Sequence, residues 1–209
     1  EHNGRIVQGN GFLVDDLTDH AMQFISKSRD KPFFVYLPLN TPHSPMQVPD
    51  PYWERFKDKD VLPDPAPANA KKQNLTHTRA ALAMCENIDA NIGRLLAHLA
   101  ALNMTDNTIV IFFCDNGPNG SRFNGGMRGR KGSTFEGGLR SPCLIRYPGQ
   151  IEAGTVVTEV GAAIDLLPTL ADLAGLQAHP AKPLDGVSLA PLLRGDPDEW
   201  PERLIFSAW

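Results

Sequence analysis

The chain has 209 residues, with 20 Lys and Arg against 24 Asp and Glu, and its formal charge at pH 7 is −4. A content of 42% hydrophobic and 21% charged residues is ordinary for a folded globular protein and excludes collagen-like, coiled-coil and intrinsically disordered chains. The acidic balance argues against a nucleic-acid-binding protein, and the longest apolar run, 108–114, is far shorter than the ~18 residues that a membrane-spanning helix needs.

The first half of the chain predicts two helices and one buried strand. Asp15 and Asp16 offer an N-cap to apolar residues at helical spacing. The run 33–39, Phe-Phe-Val-Tyr-Leu-Pro-Leu, is rich in aromatic residues and predicts a buried strand. Residues 40–74 contain seven of the 18 prolines and predict a long surface loop. A long helix is predicted from about residue 76 to 102, with an apolar stripe of Ala81, Cys85, Ile88, Ile92, Leu95, Leu96 and Leu99.

The second half predicts further strands and two shorter helices. The apolar runs 108–114 and 141–147 predict buried strands, and residues 155–160 could form another. Helices are predicted at 165–173 and 188–193. Because buried apolar strands alternate with amphipathic helices, the pattern favours an α/β fold with a mainly parallel sheet flanked by helices.

Polar residues follow two of the predicted strands. His43 comes shortly after 33–39, and Asp115 and Asn116 follow 108–114 directly. If these strands are parallel, the loops after them leave the sheet at the same edge, where open α/β sheets bind ligands. The oxygens of a carboxylate and an amide suit Ca²⁺ or Mg²⁺. Each motif alone is also compatible with a plain turn or a surface histidine, but together they predict one site.

Residues 115–140 form a glycine-rich, basic segment. It contains eight of the 18 glycines, where uniform placement would give about two. Its net charge is +3, since five cations oppose two acids, and the rest of the chain therefore sums to −7. The cations are Arg122, Arg128, Arg130, Lys131 and Arg140. Clustered cations with accessible backbone amides suit an anion, although a mobile basic loop would have the same composition.

The three cysteines, Cys85, Cys114 and Cys143, predict neither a disulfide framework nor a zinc cluster. Their number is odd and their spacings are long. Each lies in an apolar run, so we expect small buried residues.

An ordered set of segments resembles one protein family. The segments are NTPHSP at 40–45, ENIDANIGRLL at 86–96, CDNG at 114–117, RKGSTFEGGLRSP at 130–142, DLLPTL at 165–170 and DGVSL at 185–189. In this order, and covering nearly the whole chain, they resemble the type I sulfatases, the formylglycine-dependent arylsulfatases of the alkaline phosphatase superfamily. The block 130–142 is the most specific part of the resemblance.

The resemblance implies roles for individual residues. Asp115 and Asn116 would be ligands of a single active-site Ca²⁺, with Mg²⁺ possible. Lys131 would contact a sulfate oxygen, and His43 would bind the sulfate or transfer a proton near the leaving oxygen. Arg140 is a weaker candidate for substrate contact and would mainly brace the loop together with its neighbour Glu136. These roles agree with the chemistry, because sulfate transfer needs positive charge on the sulfate oxygens and a proton for the leaving alcohol.

The resemblance also implies that the nucleophile lies outside residues 1–209. In this family it is a formylglycine made from Cys or Ser in the signature Cys/Ser-x-Pro/Ala-x-Arg, and none of the three cysteines stands in that context. The family's N-terminal pair of metal-binding aspartates is also not matched, because Asp15-Asp16 follows no buried strand. We therefore expect residues 1–209 to be the C-terminal half of a sulfatase catalytic domain, without its N-terminal half and C-terminal subdomain, and inactive alone.

The implied substrate is a sulfated small molecule or glycan, and a periplasmic or secreted location is expected from the resemblance. An isolated half-domain would expose apolar surface and self-associate. Two other functions stay open at this point. One is a phosphate or phosphonate ester hydrolase of the same superfamily, and the other is a non-catalytic remnant that binds anions.

Overall fold

The computed structural model describes residues 3–61, 74–120, 122–177, 181–196 and 200–207. Contacts within the chain divide it into two compact units. We call residues 1–105 with 120–123 the helical unit, and residues 106–119 with 124–209 the sheet unit.

The described part of the helical unit is built from α1 (Leu13–Ser28), α2 (Asp50–Phe56) and α3 (Leu75–Ala101). Helix α3 packs against both α1 and α2. Both helices predicted outside the proline-rich region are confirmed. Helix α3 begins where Asn74 accepts a hydrogen bond from the backbone N–H of His77 at 3.0 Å, which satisfies one free donor of the first turn.

Asp15 does not cap α1 as the sequence predicts. The N-cap is Phe12, so Asp15 lies inside the first turn. There its Oδ1 accepts hydrogen bonds from Asn87 at 2.9 Å and Asn91 at 2.6 Å, both on α3. Because Asn87 and Asn91 are buried, these bonds give their amides a partner and fix the register of α1 on α3.

The prediction of a buried strand at 33–39 is wrong for this structure. The segment forms no strand, and its side chains alternate between half-buried and exposed, with Phe34 71% and Tyr36 70% exposed. A strand needs a hydrogen-bonded neighbour, and none of the described segments pairs with 33–39. The predicted loop 40–74 is also interrupted, because Pro49 and Pro51 stand at the start of α2, where proline is favoured. Residues 62–73 of that loop lie outside the described residues.

The sheet unit contains one described sheet of two strands. Strand β1 (Val110–Phe113) pairs with β2 (Cys143–Arg146), with Val110 opposite Arg146 and Phe113 opposite Cys143. The pairing is antiparallel, which corrects the predicted mainly parallel sheet as far as the described strands go. The physical reason is the return of the chain through 114–142, which a hydrogen bond from Cys114 N to Pro142 O at 3.1 Å closes beside the strands.

Three helices complete the sheet unit: α4 (Glu136–Leu139), α5 (Leu166–Leu173) and α6 (Ala190–Arg194). The helices predicted at 165–173 and 188–193 are therefore confirmed, whereas residues 155–160 form no strand. Buried Leu173, Ala190 and Leu193 form the core of this unit. Partly buried apolar residues pack against them: Ile109, Ile145, Tyr147, Ile151, Val157 and Leu189.

The cysteines are less buried than the sequence predicts. Cys85 and Cys143 are exposed, and Cys114 is half-buried. Cys143 and the next residue of β2, Leu144, which is 65% exposed, lie on opposite faces of the strand, so neither face is fully covered at this end of the two-stranded sheet. None of the described helices is long and apolar enough to cross a membrane.

A buried carboxylate, Asp165, joins three segments of the sheet unit. Its side chain is fully buried and accepts hydrogen bonds from the backbone N–H of Ala162 at 2.7 Å and of Val187 at 2.9 Å. The guanidinium of Arg203 donates to both carboxylate oxygens, at 2.7 and 2.5 Å. Arg203 also lies over the ring of Trp200, 4.6 Å from its centre, so this contact holds residues 200–203 against α5.

The environment of Asp165 sets its ionisation. Burial alone would raise the pKa of this carboxyl, but the hydrogen bonds from Arg203, Val187 and Ala162 hold the pKa below its usual value. Gly186 makes the Val187 bond reachable, since a Cβ there would lie 2.0 Å from the carbonyl oxygen of Ile164. The hydrogen bond between Asp165 and Val187 N therefore explains why Asp165 and Gly186 occur in segments 165–170 and 185–189.

Replacing Asp165 is expected to destabilise the chain in a pH-dependent way. Asp165→Asn leaves the Arg203 charge without its partner, and losing one member of a buried pair costs about 3–5 kcal/mol. The pKa of the Asp165 carboxyl is lower in the folded chain than in the unfolded chain. The carboxylate therefore stabilises the fold fully above about pH 3.9, the unfolded pKa, and this contribution disappears as the pH falls through the folded pKa. Urea unfolding at neutral pH and in acid measures both effects.

The control for Asp165→Asn is Glu136→Gln, which breaks an ion pair between two exposed side chains and should change stability little. If Asp165→Asn lost as much stability in acid as at neutral pH, the result would contradict an ionised Asp165 carboxylate in the folded chain.

Candidate active site

The glycine-rich segment folds back onto the turn that follows β1. Backbone hydrogen bonds join the two loops, from Gly117 N to Gly138 O at 2.9 Å and from Lys131 N to Pro118 O at 3.0 Å. A third bond, from Gly137 N to Arg128 O at 2.7 Å, closes the segment on itself. The fold thus brings the backbone of Lys131 next to the residues that follow Asp115 and Asn116.

Three glycines of this contact cannot carry a side chain. A Cβ at Gly117 would lie 2.0 Å from the carbonyl oxygen of Gly137. A Cβ at Gly138 would lie 2.3 Å from Ser133 O and 2.5 Å from Arg130 O, and one at Gly137 would lie 2.6 Å from Gly129 O. At these three positions the glycines of the segment therefore have a definite cause, which is the close approach of backbone to backbone.

Asp115 and Asn116 offer two oxygen ligands at the end of β1. Asp115 is exposed, and Asn116 is half-buried with its Nδ2 donating to Gly117 O at 2.9 Å. That bond orients the amide, so its Oδ1 is left as the acceptor. Hard oxygens of this kind fit Ca²⁺ or Mg²⁺, but Ca²⁺ usually takes about 6–8 ligands. The described ranges contain no group of three or more His, Cys, Asp or Glu side chains that could hold a metal, so these two residues fit part of a ligand set.

The cations of the loop differ in their surroundings. Arg128 lies over the ring of Phe135, 3.9 Å from its centre. Arg140 donates to Glu136 at 2.8 Å, an ion pair within the loop that agrees with a bracing role for these two residues. Lys131 is half-buried and has no ion pair with any acid in the described part of the chain.

The sequence did not indicate which polar side chains hold the loop. Asn124 Nδ2 donates to Met127 O at 2.8 Å and to Gly129 O at 3.0 Å. Ser133 Oγ donates to Arg130 O at 2.8 Å and accepts from Arg130 N at 3.2 Å. Asn and Ser bind nearby backbone in turns, so their position beside glycines was the available signal.

His43 belongs to the helical unit and is exposed. Its Nδ1 lies 2.9 Å from the carbonyl oxygen of Ser44. Since a carbonyl only accepts, Nδ1 carries the hydrogen, and in the neutral ring Nε2 keeps its lone pair. The convergence of His43 with Asp115 stays a prediction.

An open cleft of about 450 Å³ follows His43 in the same unit. It lies where the residues after Pro45 meet α2 and the first turns of α3. Its lining residues combine an aromatic face with apolar and polar side chains: Met46, Gln47, Val48, Asp50, Trp53, Thr76, His77 and Ala80.

Adding a single methyl group to the contact between the loops is expected to disrupt it. Gly138→Ala drives a Cβ into two carbonyl oxygens, and such overpacking costs about 1–3 kcal/mol. The control is Gly93→Ala in α3, where nothing lies within 4 Å of the added Cβ and Ala favours a helix by about 1 kcal/mol. Thermal unfolding of both variants measures the difference. Equal midpoints would contradict the close backbone contact.

Comparison with known proteins identifies the family. The Sulfatase family model matches residues 3–176. Steryl-sulfatase of Mus musculus is 32% identical over 206 residues, which are 94% of this chain and 30% of that protein. Arylsulfatase A of Homo sapiens is 33% identical over 197 residues, 90% of this chain and 34% of that protein. The solved structure of Ps i-CgsB in complex with k-i-k-neocarrahexaose has a TM-score of 0.78 at 32% identity and covers 94% of this chain and 41% of that one. The chain thus spans about a third of the length of these curated relatives, and it belongs to the sulfatase family.

Proposed function

We propose that this chain is part of an enzyme that hydrolyses a sulfate ester, and that it carries the sulfate-binding lysine and two of the metal ligands. The observation that supports this most is the pairing of the Lys131 segment with the turn after Asp115 and Asn116 in a member of the sulfatase family. A fixed cation beside two oxygen ligands is suited to a divalent oxyanion that also contacts a metal ion.

The residues of the chain would act at different atoms of the substrate. Lys131 would neutralise charge on a sulfate oxygen, and its half-buried position strengthens that interaction relative to open water. His43 would hold the sulfate or, in the form that carries hydrogen on both ring nitrogens, donate a proton to the leaving oxygen from Nε2, the nitrogen that its Ser44 contact leaves available. Asp115 and Asn116 would hold Ca²⁺ or Mg²⁺, which when bound polarises the sulfate group.

We infer that residues 1–209 are the C-terminal half of a sulfatase catalytic domain. The formylglycine nucleophile, further metal ligands and the parallel part of the sheet would then come from other parts of the protein. The run 33–39, which pairs with no described strand, and the exposed apolar residues of β2 support this inference, because both offer backbone or apolar surface that further elements would cover. A periplasmic or secreted location is proposed from the same relationship.

The substrate class that fits best is a sulfated glycan, with a sulfated small molecule as the alternative. Ps i-CgsB, 32% identical over most of this chain, was solved with an oligosaccharide. The cleft after His43 supports the same class, because Trp53 offers a flat apolar face while Gln47, Thr76 and His77 offer hydrogen-bonding groups.

The longer protein is expected to lose sulfatase activity when Lys131 is replaced. Lys131→Gln removes a fixed positive charge from the sulfate, and deleting one such group lowers kcat by about 10²–10³-fold. The matched control is Arg146→Gln, which removes an exposed positive charge from β2 outside the loop. Initial rates on an activated aryl sulfate and an aryl phosphate measure the effect. A preference for the phosphate would favour the phosphate or phosphonate ester hydrolase instead.

The 209-residue chain alone is expected to bind sulfate and calcium weakly, to self-associate and to turn over nothing. Its cations can attract an anion without a nucleophile, but two ligands hold Ca²⁺ poorly. Exposed apolar residues such as Phe34, Tyr36 and Leu144 favour association. Light scattering measures the association, calorimetric titration with sulfate and with calcium measures the binding, and an aryl sulfatase assay with added calcium, beside the longer protein, measures the turnover. Comparable turnover by both would mean that the nucleophile lies within residues 1–209.

A further inference from the structure

Among the cations of the glycine-rich loop, Arg130 is exposed and makes neither an ion pair nor a contact with an aromatic ring within the described ranges. Arg128 is engaged with Phe135, and Arg140 with Glu136. Lys131, the next residue, is assigned above to the reacting sulfate. We propose that Arg130 binds a second anionic group of the substrate, a sulfate or carboxylate close to the ester that is cleaved. This inference rests on the proposed function and narrows its substrate to a polyanionic glycan.

The backbone under Arg130 is held on both sides. Ser133 Oγ accepts from Arg130 N at 3.2 Å and donates to Arg130 O at 2.8 Å. The following residue is anchored by the bond from Lys131 N to Pro118 O at 3.0 Å. Before it, a Cβ at Gly129 would lie 2.6 Å from Ser133 Oγ, so the turn leaves no room there. A guanidinium on a fixed backbone binds an anion at a lower entropic cost than one on a flexible chain.

The side chains of Arg130 and Lys131 bind anions in different ways. A guanidinium presents a planar fork of donors that matches the oxygens of a sulfate or carboxylate, whereas an ammonium acts as a point charge. Because Arg130 and Lys131 are consecutive, their Cα atoms lie about 3.8 Å apart. With Lys131 on the reacting sulfate, a second anionic group close to that sulfate would come within reach of the Arg130 guanidinium. The segment's charge of +3, against −7 for the rest of the chain, would attract such a ligand to this loop.

The first test compares three substrates in the longer protein. They are an aryl sulfate with one charge, a disulfated disaccharide, and a monosulfated disaccharide that contains a uronic acid. Arg130→Gln should lower kcat/KM about 10-fold or more for at least one of the two disaccharides, chiefly through KM, because the charge-assisted hydrogen bonds to the second anion are lost. The aryl sulfate should change less than about two-fold, because it makes no contact with Arg130. The disaccharide that is affected identifies the second group as sulfate or carboxylate.

Two further variants separate a direct contact from a general effect of charge. Arg130→Lys keeps the charge but not the fork, and should recover only part of the lost kcat/KM. Arg146→Gln removes an exposed positive charge from β2 and should leave all three substrates unchanged. An equal loss on all three substrates with Arg130→Gln would overturn the proposal, because it would mean that Arg130 acts on the cleaved sulfate, directly or through Lys131, and not on a second group. No loss on either disaccharide would overturn it as well.

A binding measurement separates this inference from the proposed function. Isothermal titration of the longer protein with the same disaccharides, after a chelator has removed calcium to prevent turnover, measures binding alone. Tighter binding of a dianionic disaccharide than of the aryl sulfate, lost in Arg130→Gln and kept in Arg146→Gln, supports the second anion contact even if the longer protein hydrolyses no sulfate ester. Equal binding by Arg130→Gln and the unchanged chain would overturn the inference whatever the enzyme's activity.

Discussion

The close approach of two backbones is the contact on which the candidate site depends. Gly117 and Gly138 come so near to neighbouring carbonyl oxygens that neither position has room for a Cβ. This approach lets Gly117 N reach Gly138 O and Lys131 N reach Pro118 O, so the lysine segment is fixed by backbone bonds. Backbone bonds are short and position a residue more closely than flexible side chains do. The loop can therefore hold a cation in place while its side chain stays available to a ligand.

The cations of the glycine-rich loop differ in the groups that each one contacts. An aromatic face engages Arg128 and a nearby carboxylate engages Arg140, so both contribute to the shape of the loop. Arg130 and Lys131 have no acidic partner among the described residues, and their positive charge is free to act on an incoming anion. What each cation can contact therefore depends on its surroundings rather than on the number of cations in the loop.

The sheet unit has a second centre of organisation in Asp165. A buried carboxylate is costly unless every oxygen is bonded, and here two amides and a guanidinium supply those bonds. Thr169 extends the arrangement, because its hydroxyl donates to Asp165 O at 2.6 Å and accepts from Leu189 N at 2.8 Å. Two of the segments that resemble the sulfatases are thus explained by folding, since they join α5, α6 and residues 200–203.

The sequence by itself determined four of the six described α-helices, the glycine-rich basic segment and the family, because periodicity, composition and ordered motifs are local properties of the chain. The helix at 75–101 followed from the spacing of its apolar residues, and the helix at 166–173 from Asp165, Pro168 and Gly175 as start and stop signals. Only the tertiary structure decided that β1 and β2 are antiparallel, that 33–39 is unpaired and that Asp15 bonds to α3. The pairing and burial of a strand depend on which distant segment of the chain lies beside it, and the residues of an apolar run do not specify that segment. The same holds for Arg130 and Lys131, whose residue types predicted a basic loop but whose freedom from acidic partners appeared only once the loop was folded.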